Sequence, residues 1–275
     1  MQNIGSKLEK YLTLWNLSDP KLVATTPTSF IYEVSRDEDL ILKIFTETGA
    51  IDEKASSSVL AAWNGNGSVE LKASDDGALL IERLEGPNLY FYSESKNETK
   101  ATEIFVHIIK KIHSSPLPKN HSIPELSTLF KTLYDFTGSP EKHRPLFQKS
   151  VEVARSLIST QNKVVLLHGD LHHENVMKRK HGEYVCFDPK GFIGDPCYEI
   201  ATILKNPWDF PEISENEKLC IERANMFADS LKLPVQRILE FSFVHMCLSA
   251  MWAIQDGQDY SHQMKIAQFL ESYIS

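Results

Sequence analysis

The stretch that decides the fold is Val164–Met177, which reads VVLLHGDLHHENVM. Its first four residues are apolar, as in a buried strand. His168 and Asp170 follow at once, and Asn175 stands five positions after the aspartate. The order H-x-D-x-x-x-x-N is typical of phosphoryl-transfer loops, in which the aspartate accepts the proton of the attacking hydroxyl and the asparagine ligates Mg²⁺. The stretch therefore predicts a buried strand that leads into a catalytic loop.

A second carboxylate ligand for the metal is expected after such a loop. The segments NVMKR and YVCFD, residues 175–179 and 184–188, have the pattern of the two strands of a hairpin. Asp188 closes the second strand and precedes a Pro-Lys-Gly turn, which allows its carboxylate to point out of the sheet edge. We therefore expect Asn175 and Asp188 to bind magnesium together.

One lysine is suitably placed to meet the charge of a triphosphate. Lys43 lies within LILKIF, residues 40–45, which is otherwise an apolar strand. An ammonium in such a strand is costly unless a carboxylate and a ligand meet it. Glu53, early in the helical segment that follows, is the expected partner, and Asp52 and Glu47 are the alternatives.

The rest of the chain has the pattern of an α+β protein with two lobes. Up to residue 84, two hairpins flank one helical segment and another helical segment precedes them; beyond it the pattern is mostly helical. We predict a small antiparallel-sheet lobe, residues 1–84, that binds the nucleotide, and a larger helical lobe, residues 85–275, with the catalytic loop and the acceptor site. The predicted helices cover residues 4–15, 48–63, 100–113, 146–160, 217–231, 235–253 and 262–273, and the hairpin strands cover 30–35, 40–45, 69–73 and 78–83.

Composition limits the classes of function. With 42% hydrophobic and 24% charged residues, the chain lies within the ordinary globular range. A net charge of −8 argues against a general nucleic-acid surface and slightly favours cationic ligands. The sequence has no run of about 18 apolar residues and no signal-peptide pattern. Its four cysteines form no C-x-x-C pair. We therefore expect a cytoplasmic protein with reduced thiols and no membrane contact.

Two alternative interpretations concern the same stretch. Asp170 and Asn175 could cap a helix or stabilise a turn, as these residue types commonly do. His168, His172 and His173 could hold zinc, although no further Cys or His ligand stands at the short spacing that zinc sites use. The presence of Asp188 and Lys43 at suitable places favours the catalytic interpretation.

The chain resembles the aminoglycoside phosphotransferase branch of the protein-kinase-like fold, and most closely the streptomycin 6-kinase and hydroxyurea phosphotransferase family. The likeness runs from about Trp15 to Gly257 and rests on LLHGDLHHENVM, residues 166–177, followed by FDPKGFIGDPCYEIA, residues 187–201. WNGNG, GALLIERLEG and SAMWAIQDG resemble further segments of the same family. The resemblance implies a bilobal kinase-like fold, ATP or GTP as the phosphoryl donor, and Mg²⁺ as the metal.

The resemblance also implies a role for each residue that matches the family's motifs. Asp170 would be the catalytic base. Asn175 and Asp188 would be the magnesium ligands, and Lys43 with Glu53 would form the ion pair that holds the phosphates.

Further residues would support the nucleotide and the loop. Backbone groups from Glu82 to Leu84 would meet the adenine edge. His168 would order the catalytic loop from beneath, and Asp195 would brace it by accepting backbone hydrogen bonds.

The sequence departs from the kinase pattern in two places. Thr25–Ser29 reads TTPTS and lacks a glycine-rich phosphate loop, so Ser29 and the hydroxyls and amides of this turn are expected to take its place. Gln255 stands where we expect an acidic residue in streptomycin kinases.

We therefore predict transfer of the γ-phosphate to a hydroxyl of a small molecule. The family implies a streptomycin-like aminocyclitol, possessing cationic groups, or hydroxyurea; the alternative within enzymes is another hydroxylated metabolite. His172 and Asp256 are candidates for contacting this acceptor. The competing class is an inactive nucleotide-binding kinase-like protein, which would not need the full catalytic set. We expect a monomer or a weak homodimer that binds no nucleic acid.

Overall fold

The computed structural model describes residues 4–52, 55–119, 122–180 and 182–274. It begins with helix α1 (Ile4–Leu14) and a five-stranded antiparallel sheet with strand order β1-β2-β3-β5-β4. The strands are β1 (Ser18–Thr25), β2 (Ser29–Ser35), β3 (Asp39–Phe45), β4 (Leu71–Asp75) and β5 (Ala78–Glu82). Two helices, α2 (Glu47–Asp52) and α3 (Ser56–Trp63), lie between β3 and β4 along the chain.

The rest of the chain is mostly helical, with four short strands around the catalytic loop. The helices are α4 (Tyr90–Glu94), α5 (Glu98–Ile112), α6 (Leu126–Tyr134), α7 (Arg144–Ser159), α8 (Tyr198–Leu204), α9 (Pro211–Ser214), α10 (Glu217–Leu231), α11 (Val235–Gln255) and α12 (Ser261–Glu271). The strands are β6 (Val165–Leu167), β7 (Val176–Lys178), β8 (Tyr184–Cys186) and β9 (Phe192–Gly194). The predicted α+β class is confirmed, whereas the lobe boundary at residue 84 stays a prediction.

Strand β3 is central to the sheet, and its burial explains how Lys43 is held. Leu40, Leu42 and Ile44 are fully buried on this strand, and Lys43 is only 6% exposed. Backbone pairing places Lys43 opposite Ile31 of β2 on one side and opposite a leucine of β5 on the other. The ammonium therefore starts from a fixed, apolar position and reaches towards the helical part of the protein.

Two hydrophobic clusters support the sheet. The smaller one packs α1 against the sheet and includes Tyr11, Leu40, Leu42 and Leu80. The larger one includes Phe45 and Leu79 of the sheet together with α3, and continues through the helical part. The sheet is thus anchored to the helices through α3, and the catalytic loop is built within the larger cluster.

Helix α11 is the most buried long helix of the described chain. By length and composition it could cross a membrane, with a mean hydropathy of 1.3, but 78% of this stretch is buried inside the protein. It packs against α7, α8 and α12. Such a helix is largely apolar because most of its surface packs within the core.

Candidate active site

The catalytic loop starts at the end of β6, which pairs antiparallel with β9. Directly after β6, the Nδ1 of His168 accepts a hydrogen bond from the backbone N–H of Asp170 at 3.3 Å. Because an acceptor nitrogen carries no proton in neutral imidazole, Nε2 is the donor, and it lies 2.8 Å from the carbonyl oxygen of Phe187. His168 is fully buried. It therefore joins the loop to the residue that precedes Asp188, as expected for a residue beneath the site.

The carboxylate that braces the loop comes from Glu199, in the first turn of α8. It is fully buried and accepts the backbone N–H groups of His168 and Gly169 at 2.8 and 3.1 Å. His113 Nε2 lies 3.3 Å from the same carboxylate. Burial tends to raise the pKa of Glu199, but His113 and the backbone donors outweigh it and lower the pKa below its usual range. Glu199 therefore stays ionised beneath the loop.

This finding corrects the role predicted for Asp195. Its carboxylate accepts the N–H of Cys197 at 2.9 Å and pairs with Arg237 Nε at 2.7 Å. These contacts stabilise the start of α8 and its packing against α11 rather than the catalytic loop. The acid that faces the loop is Glu199, four residues further along the chain. Sequence spacing did not reveal which of the two acids has this role.

Asn175 and Asp188 are brought together by the β7–β8 hairpin. The backbone carbonyl of Asn175 accepts the N–H of Phe187 at 3.0 Å, which places Asp188 next to it. The Asn175 amide nitrogen lies 2.9 Å from the Asp170 carbonyl oxygen and 3.1 Å from His172 Nε2. Since the nitrogen is used in this way, the amide oxygen is the atom left for a metal. Carboxylate and amide oxygens are the ligands that suit Mg²⁺.

Asp188 has an uncommon backbone conformation for a residue with a side chain. Its φ is 62°, in the left-handed region that Asp and Asn tolerate better than most residues. Asp188 stands two residues after the end of β8, and its carboxylate contacts Lys43 of the sheet. The pair of donor groups on Asn175 and Asp188 therefore fits a magnesium site.

Lys43 and Asp188 form a direct ion pair across the site. Burial tends to raise the pKa of Asp188, but the Lys43 ammonium outweighs it and lowers that pKa. The predicted ion pair of Lys43 with Glu53 lies outside the described residues.

A cavity of about 220 Å³ lies beside this ion pair. Its walls are mostly apolar and come from the sheet, α3 and the β7–β8 hairpin, and they include Leu84 and Glu82. The Glu82 carboxylate is turned to Arg179, with contacts of 2.6 and 2.9 Å, and its backbone N–H donates to the Glu70 carbonyl at 3.0 Å, so its carbonyl oxygen is the group that remains for a ligand. An apolar slot that ends at a cation and a carboxylate matches a nucleobase with its phosphates.

The turn between β1 and β2 is closed by hydroxyl groups. Ser29 is fully buried, and its Oγ lies 3.0 Å from Thr26 Oγ1, which also accepts the Ser29 backbone N–H at 3.0 Å. Thr46, just before α2, binds the carbonyl oxygen of Thr28 at 3.2 Å. The Ser29 hydroxyl thus holds the turn together and is not among the residues that line the cavity.

A second cavity of about 530 Å³ opens on the other side of the loop, and we call it the acceptor cleft. Asp170 lies in its wall together with Lys190, Lys205, His245 and Trp252. Burial tends to raise the pKa of Asp170, but nearby basic groups, led by His172 and Lys205, lower it below its usual range. Asp170 is therefore an ionised carboxylate that faces a cavity large enough for a small molecule.

Helix α11 supplies one wall of the acceptor cleft through a stripe of side chains. His245, Ser249 and Trp252 stand four and three positions apart, which places them on one helical face. His245 and Trp252 line the cleft, and Ser249 contacts Lys205 at 3.4 Å. We refer to these three residues as the α11 stripe.

The two predicted acceptor contacts lie elsewhere. Asp256 is exposed at the end of α11 and does not line the acceptor cleft. Its backbone N–H closes the helix on the Trp252 carbonyl at 2.9 Å, so the alternative of a helix C-terminal turn describes it. His172 faces Asn175 and not the cleft, and burial lowers its pKa, against the effect of Asp170.

The histidines of the loop do not form a zinc site. Within the described residues, no group of three or more side chains is arranged to hold a metal ion. His173 instead lies in a buried network with Glu98 at 3.2 Å. Arg223 Nη2 lies 3.7 Å from the same carboxylate, and the Ser93 hydroxyl donates to it at 2.5 Å. This network, which the sequence did not reveal, fixes the end of the catalytic loop to α5 and α10.

Burial sets the charge state of this network. Burial tends to raise the pKa of Glu98, but His173 and Arg223 outweigh it and lower the pKa to about 2. Burial lowers the pKa of His173 to about 4, although Glu98 opposes the shift. At neutral pH the network therefore contains a carboxylate, a guanidinium and a neutral imidazole.

The sheet, the loop and the helical part together define a kinase-like phosphotransferase fold. The chain belongs to the aminoglycoside/hydroxyurea antibiotic resistance kinase family, which is matched over residues 14–257. It is 29% identical to streptomycin 3''-kinase of Klebsiella pneumoniae over 255 residues, 88% of this chain and 91% of that protein. It is 22% identical to hydroxyurea phosphotransferase of Kitasatospora aureofaciens over 270 residues, 94% of this chain and 75% of that protein.

Solved structures share the same fold. Choline kinase LicA from Streptococcus pneumoniae superposes with a TM-score of 0.68 at 16% identity, covering 98% of this chain and 100% of that one. A thermostable mutant of aminoglycoside phosphotransferase APH(4)-Ia, in a ternary complex with AMP-PNP and hygromycin B, gives 0.68 at 12% identity, covering 97% of each chain. The predicted family and fold are thus confirmed. At these identities the solved structures establish the fold alone.

Proposed function

We propose that this protein transfers the γ-phosphate of ATP to a hydroxyl group of a small molecule, with Asp170 as the catalytic base. The observation that carries the proposal is the position of Asp170. Its carboxylate faces the acceptor cleft, while the loop that bears it also holds Asn175, next to Asp188 and the Lys43 ion pair. Base, metal donors and phosphate cation thus meet at one loop between two cavities.

Each part of the site has a task in this reaction. The nucleobase would occupy the apolar cavity, with backbone groups of Glu82 to Leu84 at its edge. Lys43 would hold phosphate oxygens, and Asn175 with Asp188 would hold Mg²⁺. Magnesium bound there would neutralise charge on the phosphates.

Asp170 would orient the acceptor hydroxyl and take its proton. The hydroxyl oxygen forms the new bond to phosphorus as the bond between phosphorus and ADP breaks. A positioned general base contributes a factor of about 10² to 10⁴ in rate. With its lowered pKa, the Asp170 carboxylate is ionised at neutral pH and is able to accept a proton.

The relatives supply candidates for the acceptor. Streptomycin kinases and a hydroxyurea phosphotransferase are among the similar proteins. An aminocyclitol such as streptomycin, or hydroxyurea, is therefore the first acceptor to test. Relatives of the same fold carry AMP or AMP-PNP, which supports ATP as the donor, and GTP belongs in the same experiment. A cytoplasmic monomer or weak homodimer remains our expectation.

The test is mass-spectrometric detection of phosphoryl addition by the wild type and Asp170→Asn. The panel holds streptomycin, other aminocyclitols, hydroxyurea, choline and simple sugars, each with Mg²⁺ and ATP or GTP. We expect phosphorylation by the wild type and a loss of about 10² to 10⁴ in the variant, with nucleotide affinity nearly unchanged. Wild-type turnover in Asp170→Asn would refute the base assignment. Binding of the nucleotide without transfer to any compound would favour a hydroxylated metabolite outside the panel or the inactive binding protein.

A further inference from the structure

The described residues that line the acceptor cleft include few charged groups. Among its described lining residues, Asp170 is the one acid, whereas Lys190 and Lys205 are cations. Two surface acids of the helical part are engaged elsewhere: Glu215 pairs with His262 and Lys265, and Asp259 with Ser261. A polycationic acceptor would thus find a single carboxylate in the described part of the cleft, and that group is the proposed base.

Lys205 stands at the end of α8 and is half-buried in this wall. Its ammonium lies 3.4 Å from the Ser249 hydroxyl and 5.9 Å from the centre of the Trp208 ring. Within the described residues, no carboxylate lies at ion-pair distance from it. Burial lowers the pKa of Lys205, and the more distant Asp170 offsets only part of the effect. A buried ammonium that has a hydroxyl as its neighbour gains strongly from an anion that comes within reach.

His245 adds a second donor to the same wall. It is 3% exposed, and its Nδ1 lies 3.0 Å from the Tyr198 hydroxyl. A buried phenol needs an acceptor for its proton, and Nδ1 is the one that this contact supplies. Burial also lowers the pKa of His245 to about 3, so the ring is neutral and Nε2 carries its proton. Nε2 is buried and has no hydrogen-bond partner in the described structure.

We propose that the natural acceptor is a hydroxy acid, whose carboxylate binds Lys205 and His245 Nε2 while its hydroxyl faces Asp170. This inference rests on the proposed phosphotransferase function and names its substrate class. Lys205 and His245 Nε2 are two donors in this wall without an anionic partner in the described structure, and Asp170 is the proton-accepting carboxylate of the same cleft. Together they match a molecule with an anionic end and a hydroxyl end. Phe192 and Trp252 provide ring faces for the carbon skeleton between them.

The test compares three cyclitols that differ in charge: quinate with a carboxylate, myo-inositol without charge, and 2-deoxystreptamine with two ammonium groups. Their affinities are measured by calorimetry with the wild type saturated with Mg²⁺ and AMP-PNP. We expect quinate to bind at least about ten-fold more tightly than myo-inositol and 2-deoxystreptamine, since a charge-assisted contact of about 1.4 kcal/mol produces that ratio. Binding is preferable to turnover as a readout because Lys205 also lowers the pKa of Asp170.

Variants then locate the source of the preference. Lys205→Met should abolish the ratio between quinate and myo-inositol, and Lys205→Arg should retain most of it. Lys218→Met, an exposed lysine of α10, should behave as the wild type. A lysine that merely stabilises the fold would change all three affinities together and leave their ratio intact.

Three results would overturn the inference: tighter binding of 2-deoxystreptamine, equal or absent binding of the three cyclitols, or a ratio that survives in Lys205→Met. Binding of Mg²⁺ and AMP-PNP is measured in the same samples. If the nucleotide binds and quinate is not preferred, the substrate class is wrong while the phosphotransferase function stands. If the nucleotide does not bind, both fail.

Discussion

The two cavities that flank Asp170 are built in different ways. The nucleotide cavity is about 220 Å³, with apolar walls from one sheet and the helices and hairpin next to it. The acceptor cleft is about 530 Å³, and its polar side chains come from the catalytic loop, the end of α8 and the α11 stripe. The first cavity depends on regular structure and one ion pair, and the second depends on side chains that meet only after the helices pack. Donor chemistry and acceptor choice therefore have separate structural origins.

Loss of the lysine on the nucleotide side should have the largest effect. Lys43→Met leaves Asp188 without its cation and removes a donor for the phosphates. We expect transfer to fall by about 10² to 10³, as for the loss of one preorganised donor, and the nucleotide to bind more weakly. Acceptor binding should persist if the two cavities are independent. The measurements are steady-state transfer and calorimetry of each ligand.

Lys21→Met is the matched control for this experiment. Lys21 lies on β1 of the same sheet, and its side chain is 74% exposed in a surface pair with Glu33. It should keep wild-type transfer. An unchanged rate in Lys43→Met would remove the ion pair from the proposed mechanism.

The next largest effect should follow loss of the Glu199 carboxylate, which braces the catalytic loop shared by both cavities. Glu199→Gln places an amide where two backbone N–H groups need acceptors, so at least one of them loses its partner. We expect a stability loss of about 1–3 kcal/mol and a rate loss of about 10 to 10², since the base is displaced. Thermal denaturation and transfer assays measure both effects.

Asp195→Asn is the comparison for Glu199→Gln. Its oxygen can still accept the Cys197 N–H, and the lost partner, Arg237, lies away from the loop. Transfer should fall less than in Glu199→Gln. The reverse order would return the bracing role to Asp195.

Low pH should destabilise the catalytic loop, and with it both cavities, through protonation of His173 and Glu98. The pKa of His173 in the folded protein is about 4, below its ordinary 6.5, so between these values the unfolded chain takes up a proton that the folded protein does not. Stability therefore falls as the pH drops from 6.5 to 4. Glu98, with a pKa of about 2 against an ordinary 4.5, continues the loss from pH 4.5 to 2.

The expected loss is a few kcal/mol in total, measured as the free energy of unfolding by urea at pH 7, 5.5 and 4. Glu98→Gln should be less stable than the wild type at pH 7 and should depend less on pH below 4.5. Equal wild-type stability at pH 7 and pH 4 would contradict the assigned charge states.

The smallest effect on transfer is expected at the turn between β1 and β2, which is not among the residues that line the nucleotide cavity. A Cβ on Gly49 would lie 1.8 Å from the carbonyl oxygen of Thr28, so Gly49→Ala must displace the turn that ends at Ser29. We expect a stability loss of about 1–3 kcal/mol, weaker nucleotide binding and unchanged acceptor binding. Gly182→Ala, where a Cβ meets nothing closer than 3.9 Å, is the control. Weakened acceptor binding in Gly49→Ala would show that the cavities are coupled.

Sequence reasoning succeeded where local pattern decides structure. Hairpin strands and the long amphipathic helices follow from residue periodicity, and α10 begins and ends as predicted at residues 217 and 231. Strand β1 was missed because it contains Pro20 and is exposed along its whole length, so it has no alternating pattern. Helix α8 was missed for the opposite reason: all seven residues are buried, and no polar face marks the helical period.

The site shows the same division. Asp170, Asn175 and Asp188 were found because their spacing is fixed along one loop and hairpin. Glu199 and Lys205 act through contacts with residues 31 and 44 positions away, which no local spacing encodes. Asp256 was a candidate acceptor contact because of its position along the chain, and that position does not state which surface the side chain faces.

The α11 stripe has a consequence for how such proteins diverge. Helix α11 is held in the core by its other faces, so substitutions on the stripe that keep an acceptor for the buried Tyr198 hydroxyl leave the helix in place. The catalytic loop is braced from α5, α8 and α10, and not from this face. A few substitutions at positions 245, 249 and 252 can therefore alter acceptor preference while the catalytic machinery is inherited intact, and related chains can share the transfer chemistry yet modify unrelated compounds.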